Sequence, residues 1–202
     1  MLVSDIKSRP IYPGLEPDLY ALSNLIVCDR AGAEAVSDMM RRADARFAER
    51  SAILICAEDF DQWKAIDEAI QGFKPAVATT FPSLNDTILE LDALLGGAKM
   101  GVCVYAAGSE PLIGSVVQTA MRHHIDHRSV RTEHRGSLKR RVQCVHCKAL
   151  TENVTTNPVK CSGCGLMLLV RDHYSRRFAA FQGVCIDAEV PGEIPEQKAE
   201  FL

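Results

Sequence analysis

Four cysteines carry the clearest chemistry in this chain. Cys144, Cys147, Cys161 and Cys164 form two Cys-x-x-Cys pairs, separated by thirteen residues, in CVHCKALTENVTTNPVKCSGCG. Each pair sets two thiolates on one tight turn. Two such turns facing each other complete a tetrahedron around a metal ion, with metal–sulfur bonds of about 2.3 Å. Gly163 and Gly165 suit a backbone that doubles back and takes positive φ. Four thiolates leave no open coordination position, so the ion is expected to be a structural zinc. It would supply folding free energy to a module too small to bury much core. Lys148, Lys160 and Arg141 are placed to offset the charge of a tetrathiolate. His146 is redundant as a ligand.

A rubredoxin-like iron that moves electrons is the alternative, because iron accepts the same tetrahedral sulfur set. Such sites favour a glycine after each second cysteine. Here only the second pair has one, Gly165.

Beyond the second pair runs LMLLVRDHYSRRFAAFQG (166–183). It reads as a strand over 166–170, a turn at DHYS and a second strand over RRFAAFQG. Arg171, His173, Tyr174, Arg176, Arg177 and Phe178, with Asp172 among them, make a basic-aromatic cluster. The cluster is a candidate docking face for a protein partner. A plain solvated hairpin and a nucleic-acid contact are the other readings. Residues 131–182 carry a net charge of +7, against −6 for residues 1–130 and −4 for residues 183–202. A +7 module beside a −6 body argues against nucleic acid as the main partner. Cys28, Cys56 and Cys103 fall in apolar runs and read as buried thiols, with Cys185 the remaining free one. No catalytic residue is assigned.

These groups need elements to hold them. After a proline-bearing arm (1–22), apolar runs alternate with helical periodicity. LSNLIVCD, SAILICAE, PAVATTF, MGVCVYAA and SVRTEH read as strands, and residues 33–50, 59–73, 83–97 and 110–125 as helices, Ser83 capping the third. Continuous apolar strands imply burial on both faces of a parallel sheet. The fold class is therefore α/β: a doubly wound parallel sheet over 23–136. A small β-rich zinc-ribbon-like module follows over 137–184, then an acidic tail over 185–202. The 202 residues are 47% apolar, enough for a packed core. No apolar run is long enough for a membrane span. The start shows no secretory pattern, so a reduced cytoplasmic setting is expected.

The end of the sheet domain, VCVYAAGSEPLIGSVVQTAM followed by SVRTEHRG, is similar to the nucleotide-binding domain of ferredoxin–NADP reductase-type enzymes. Val104 and Tyr105 end the strand, Gly108 is the turn glycine and Glu133 the late acid. Ala107 and Ser109 stand where that family has cysteine and proline. The turn VCDRAGAEA has one glycine, Gly32, and two acids, Asp29 and Glu34, whose charge opposes phosphate. A degenerate nucleotide-binding scaffold without NADPH is expected.

Over its whole length the chain resembles the small, DmmA-type subunit of bacterial dimethylamine monooxygenase, most specifically over 144–184. The resemblance implies a heteromeric, NADPH-dependent oxidoreductase complex that uses O2 to N-demethylate dimethylamine to methylamine and formaldehyde. It implies partner subunits too: a haem oxygenase subunit, and a reductase subunit carrying FMN and an iron–sulfur cluster. This chain would be an accessory, non-catalytic subunit.

Overall fold

The computed structural model describes residues 8–70 and 72–202. The first seven residues of the expected arm, and Gln71 in the expected second helix, lie outside them. The chain divides into two compact units. One spans 12–136; the other joins 137–202 to residues of the N-terminal stretch up to Ile11. Among the described residues, no helix is long and apolar enough to cross a membrane.

In the first unit five strands run parallel: β1 (Ser23–Asp29), β2 (Ser51–Cys56), β3 (Val77–Phe81), β4 (Val102–Gly108) and β5 (Arg131–His134). Their order is β3-β2-β1-β4-β5. The helices are α1 (Ala33–Arg42), α2 (Ala45–Glu49), α3 (Phe60–Ile70), α4 (Leu84–Gly96) and α5 (Glu110–Arg122). One buried cluster joins Ile26, Cys28, Ile53, Ile55 and Tyr105 to α1 and α3. The other joins Val27, Leu54, Val104 and Ala106 to α4 and α5. Alternate residues of the central strands thus feed opposite layers, as a doubly wound sheet requires. Ser83 caps α4 by accepting from the Asp86 amide.

Two expectations need correction here. The helix expected over 33–50 is broken. A 3-10 turn (Arg30–Gly32) precedes α1, Ala43 leaves the helix with ψ 163°, and the Asp44 carboxylate caps α2 at the Phe47 amide. An internal capping residue offers the backbone a fresh start that periodicity does not register. The strand at PAVATTF is real, but it is not covered on both faces. Val77 to Thr80 are all exposed, because β3 is the edge of the sheet. The opposite edge is closed by the chain itself: the Gly14 amide donates to the Thr132 carbonyl at 3.0 Å, and the Leu15 amide to Glu133 Oε2 at 3.0 Å.

The second unit is a β-ribbon of β6 (Arg140–Cys144), β7 (Leu150–Val154), β8 (Thr156–Asn157), β9 (Val159–Lys160), β10 (Met167–Ser175), β11 (Ala180–Cys185) and β12 (Lys198–Ala199). Five strands form a sheet ordered β7-β6-β11-β10-β9, and β12 pairs with β8. Val142, Val154, Leu168, Val170, Phe181 and Phe201 make the core, with Cys144 and Cys161 at its end. The turn expected at DHYS is a correction. Those residues belong to β10, which runs on through a register break between Val170 and Tyr174. The reversal comes later, with Ala179 at φ 48°.

Candidate metal centre

The four cysteines meet at one end of the ribbon. β6 delivers Cys144 at its last residue and the turn before β7 delivers Cys147. Cys161 and Cys164 lie on the turn between β9 and β10. All four Sγ atoms lie within 4.8 Å of one another. Cys144 and Cys164 sulfurs are 3.8 Å apart, and those of Cys147 and Cys161 3.6 Å apart. A disulfide holds sulfurs at about 2.05 Å. A tetrahedron with 2.3 Å metal–sulfur bonds has edges of about 3.8 Å. The cluster therefore has the dimensions of a four-cysteine metal-binding group.

The two turns are built alike. The Lys148 amide donates to the Cys144 carbonyl at 3.0 Å, and the Gly165 amide to the Cys161 carbonyl at 3.1 Å. Lys148 (φ 66°) and Gly165 (φ 76°) occupy the same left-handed position. The first turn lacks the glycine yet adopts the same conformation, and Lys148 Nζ donates back to the Val145 carbonyl at 2.6 Å. Gly163 serves differently from the expectation. Its φ is not positive, but a Cβ there would sit 2.6 Å from Ala149 Cβ and 3.1 Å from the Cys147 sulfur.

Burial opposes ionisation of Cys161. Hydrogen bonds from the Cys164 and Gly163 amides and from the Cys147 thiol outweigh it and bring the group down to about 6. Cys164 goes the other way. Its bond from the Leu166 amide favours the thiolate, but desolvation and the three neighbouring thiols push it up to about 12. Four sulfurs this close cannot all ionise alone. A cation at their centre removes the conflict, and its binding releases protons.

The basic-aromatic cluster is on the β10–β11 hairpin. His173, Arg176, Arg177 and Phe178 are exposed, while Arg171 and Tyr174 are partly buried. Tyr174 packs edge-on to Phe181 at 5.0 Å, and the Arg177 guanidinium lies 5.6 Å from the Phe178 ring. His173 Nδ1 is 3.2 Å from Ser8 Oγ. Asp172 points inward. Its carboxylate accepts from Arg140 at 2.8 Å and from Arg9 at 2.6 Å. Desolvation would raise the Asp172 pKa, but the two guanidinium groups hold it below the usual carboxylate value. Arg140 is buried between the rings of Phe181 and Phe201, 4.0 and 3.9 Å from their centroids. Sequence reasoning missed Arg140. Nothing local separates it from Lys139 and Arg141, and only the return of Phe201 encloses it.

A second polar cluster sits at the switch point of the parallel sheet, where β1 and β4 diverge and such folds bind ligands. The Asp29 carboxylate accepts from the Gly32 amide (3.1 Å), the Ser109 amide (2.9 Å) and the Ser109 hydroxyl (2.7 Å). Those are the kinds of donors a nucleotide phosphate would use. A Cβ on Gly108 (φ 136°) would sit 2.1 Å from Asp29 Oδ1, and one on Gly32 2.1 Å from the Ala107 carbonyl oxygen. The two glycines let the carboxylate and the turn close on each other.

Family comparison agrees along the length of the chain. The N-terminal domain described as dimethylamine monooxygenase subunit DmmA-like matches residues 4–130, and the C-terminal domain of the same description matches 141–184. The heme-dependent oxidative N-demethylase delta subunit of Ectopseudomonas mendocina (strain ymp) is 32% identical over 111 residues, which are 55% of this chain and 63% of that one. This chain thus spans under two thirds of that relative's length. Among solved structures, phthalate dioxygenase reductase, described as a modular structure for electron transfer from pyridine nucleotides to a 2Fe–2S centre, aligns at a TM-score of 0.42 and 16% identity. That alignment covers 73% of this chain and 48% of that one. With one domain model covering most of the sheet unit and the other spanning all four cysteines, the chain belongs to the DmmA-like family of dimethylamine monooxygenase subunits.

Proposed function

We propose that this chain is an accessory, non-catalytic subunit of a multisubunit oxidative N-demethylase that converts dimethylamine to methylamine and formaldehyde with NADPH and O2. The observation that carries the reading is the match to both DmmA-like domains in order. The name of the curated relative, a delta subunit of a heme-dependent oxidative N-demethylase, supports partner subunits. Haem, FMN and an iron–sulfur cluster belong to those partners in this reading. The Asp29 contacts at the switch point support a sheet domain that holds no nucleotide of its own.

Cys144, Cys147, Cys161 and Cys164 would hold a structural zinc, which fixes the ribbon and presents Arg171, His173, Tyr174, Arg176, Arg177 and Phe178 to a partner subunit. Co-expression with the genes adjacent to its own, followed by purification, metal analysis and an absorbance spectrum, tests this reading. The expected result is a stable heteromer with one zinc per copy of this chain. A chain that purifies alone as a stable monomer and never associates with the oxygenase subunits would sink it.

A second reading has one observation in its favour. Cys164 is exposed, and an exposed thiolate ligand gives electrons a short path to a rubredoxin-like iron. A colourless chain with stoichiometric zinc removes that reading.

A further inference from the structure

We infer that the free edge of β3 accepts, by strand addition, an extended basic segment of a partner subunit. This inference rests on the accessory-subunit reading and goes beyond it by naming a surface in the sheet unit and the chemistry of its occupant.

Strands of parallel sheets are normally covered on both faces. β3 is covered on neither over most of its length: Val77, Ala78, Thr79 and Thr80 are exposed, Val77 by 51%. It also ends the sheet, since its register runs unbroken against β2 alone, from Ala52–Val77 to Cys56–Phe81. The other edge, β5, shows what closure looks like in this fold. There residues 12–15 lie along the strand and bond to Thr132 and Glu133. Nothing comparable lies along β3 among the described residues.

Isolated edge strands are usually blunted by a charge, an inward proline or a bulge. VATTF has none of these, and valine and threonine are strong strand formers. Pro75 and Pro82 bracket it, and the strand between them offers the five residues Val77–Phe81 as free edge. The same stretch of chain exposes Phe60, Trp63 and Leu89.

Charge selects the occupant. Residues 58–92 hold eight carboxylates (Glu58, Asp59, Asp61, Asp67, Glu68, Asp86, Glu90 and Asp92) against Lys64 and Lys74. Asp92 is paired with Arg122 at 3.1 Å. The other seven still outnumber the two lysines by five, more than the net −3 of the whole chain. A second copy docked edge to edge would bring two acidic segments together, which costs association free energy. A lysine- or arginine-bearing strand of another chain meets complementary charge and finds an unpaired ladder.

Hydrogen–deuterium exchange on the full chain, free and in the complex co-purified with its oxygenase partners, tests this. About half of the amides of Val77–Phe81 point outward, and their exchange should slow at least about tenfold in the complex. The double variant Val77→Lys with Thr79→Lys should weaken association by about tenfold or more at an unchanged melting temperature. A complex that assembles while exchange at 77–81 stays as in the free chain overturns this inference alone. A free chain that is already a dimer with protected β3 amides overturns it in favour of a second copy. Failure of any complex to form overturns the subunit reading and takes this inference with it.

Discussion

The switch-point turn after β1 and the paired turns of the ribbon are both loops of a kind that binds charged ligands, and they end in opposite states. At the first, the protein supplies both sides of the interaction. Asp29 brings the negative charge, and Gly32 and Ser109 bring the donors. At the second, the chain supplies one side. Four sulfurs converge to within 4.8 Å, and the groups around them stabilise thiolate at Cys161 while opposing it at Cys164. A polar cluster that closes on itself leaves little for a ligand to add. A cluster of like ionisable groups has its balance supplied from outside.

The largest test of that contrast is removal of the metal. Stripping the ion with a chelator, or replacing Cys161 with serine, should unfold the ribbon and leave the parallel sheet intact. The ion's contribution is of order 10 kcal/mol or more, as in small metal-held domains. Calorimetry should then show one transition lost and one kept. If both transitions survive in metal-free protein, the ribbon core stands alone and the contrast collapses.

Arg140→Ala should be the next largest effect. It removes the buried partner of Asp172 and empties the space between Phe181 and Phe201. Breaking a buried pair from one side costs about 3–5 kcal/mol, to be read from urea unfolding of the metal-loaded chain. Arg9 still faces Asp172, so the lower end of that range is expected. No change would mean that the ion alone organises the ribbon.

How much of this was legible in the sequence follows from distance along the chain. The cysteine ligands were, because each pair is local and its geometry is written in its spacing. The strand–helix alternation was, because hydrophobic periodicity is local too. Arg140 was not: its partners lie 32 and more residues away and include the last aromatic of the tail. DHYS looked like a turn because its residues are polar, but a register break lets β10 carry them. The missing glycine at Lys148 weakened the likeness between the two turns, although the backbone takes the left-handed conformation there regardless. The exposure of β3 was hidden for another reason. An apolar strand reads the same at the centre or edge of a sheet, and strand order is a property of the whole fold.

Asp29→Ala probes the self-contained side. It deletes the acceptor for three hydrogen bonds, one of them at the cap of the Arg30–Gly32 turn. A loss of about 2–3 kcal/mol from the sheet transition is expected, with metal stoichiometry unchanged. Asp29→Asn keeps acceptor oxygen and shape, so it should recover part of that loss. An alanine variant as stable as the parent would show that the carboxylate only fills space.

The smallest expected effect isolates charge in the sheet unit, away from any metal. Asp18 accepts from the Tyr20 amide at 3.0 Å and from Arg131 at 3.0 Å. The Tyr20 bond first, then Arg131 against a desolvation cost, holds its carboxyl below 3.8. The sign follows from which state binds the proton first. As pH falls through 3.8 the unfolded chain takes up the proton while the folded chain still resists it. The stabilisation is therefore complete above that value and drains away below it. Asp18 is partly exposed, so water screens the pair and the contribution is under about 1 kcal/mol. Asp18→Asn should flatten the acid limb of the stability profile of the sheet transition by that amount and leave the plateau near neutrality lowered by the same. A variant whose acid limb matches the parent's would assign the pH dependence to other carboxylates, and would reduce the Asp18–Arg131 contact to packing of residues 12–22 against the sheet.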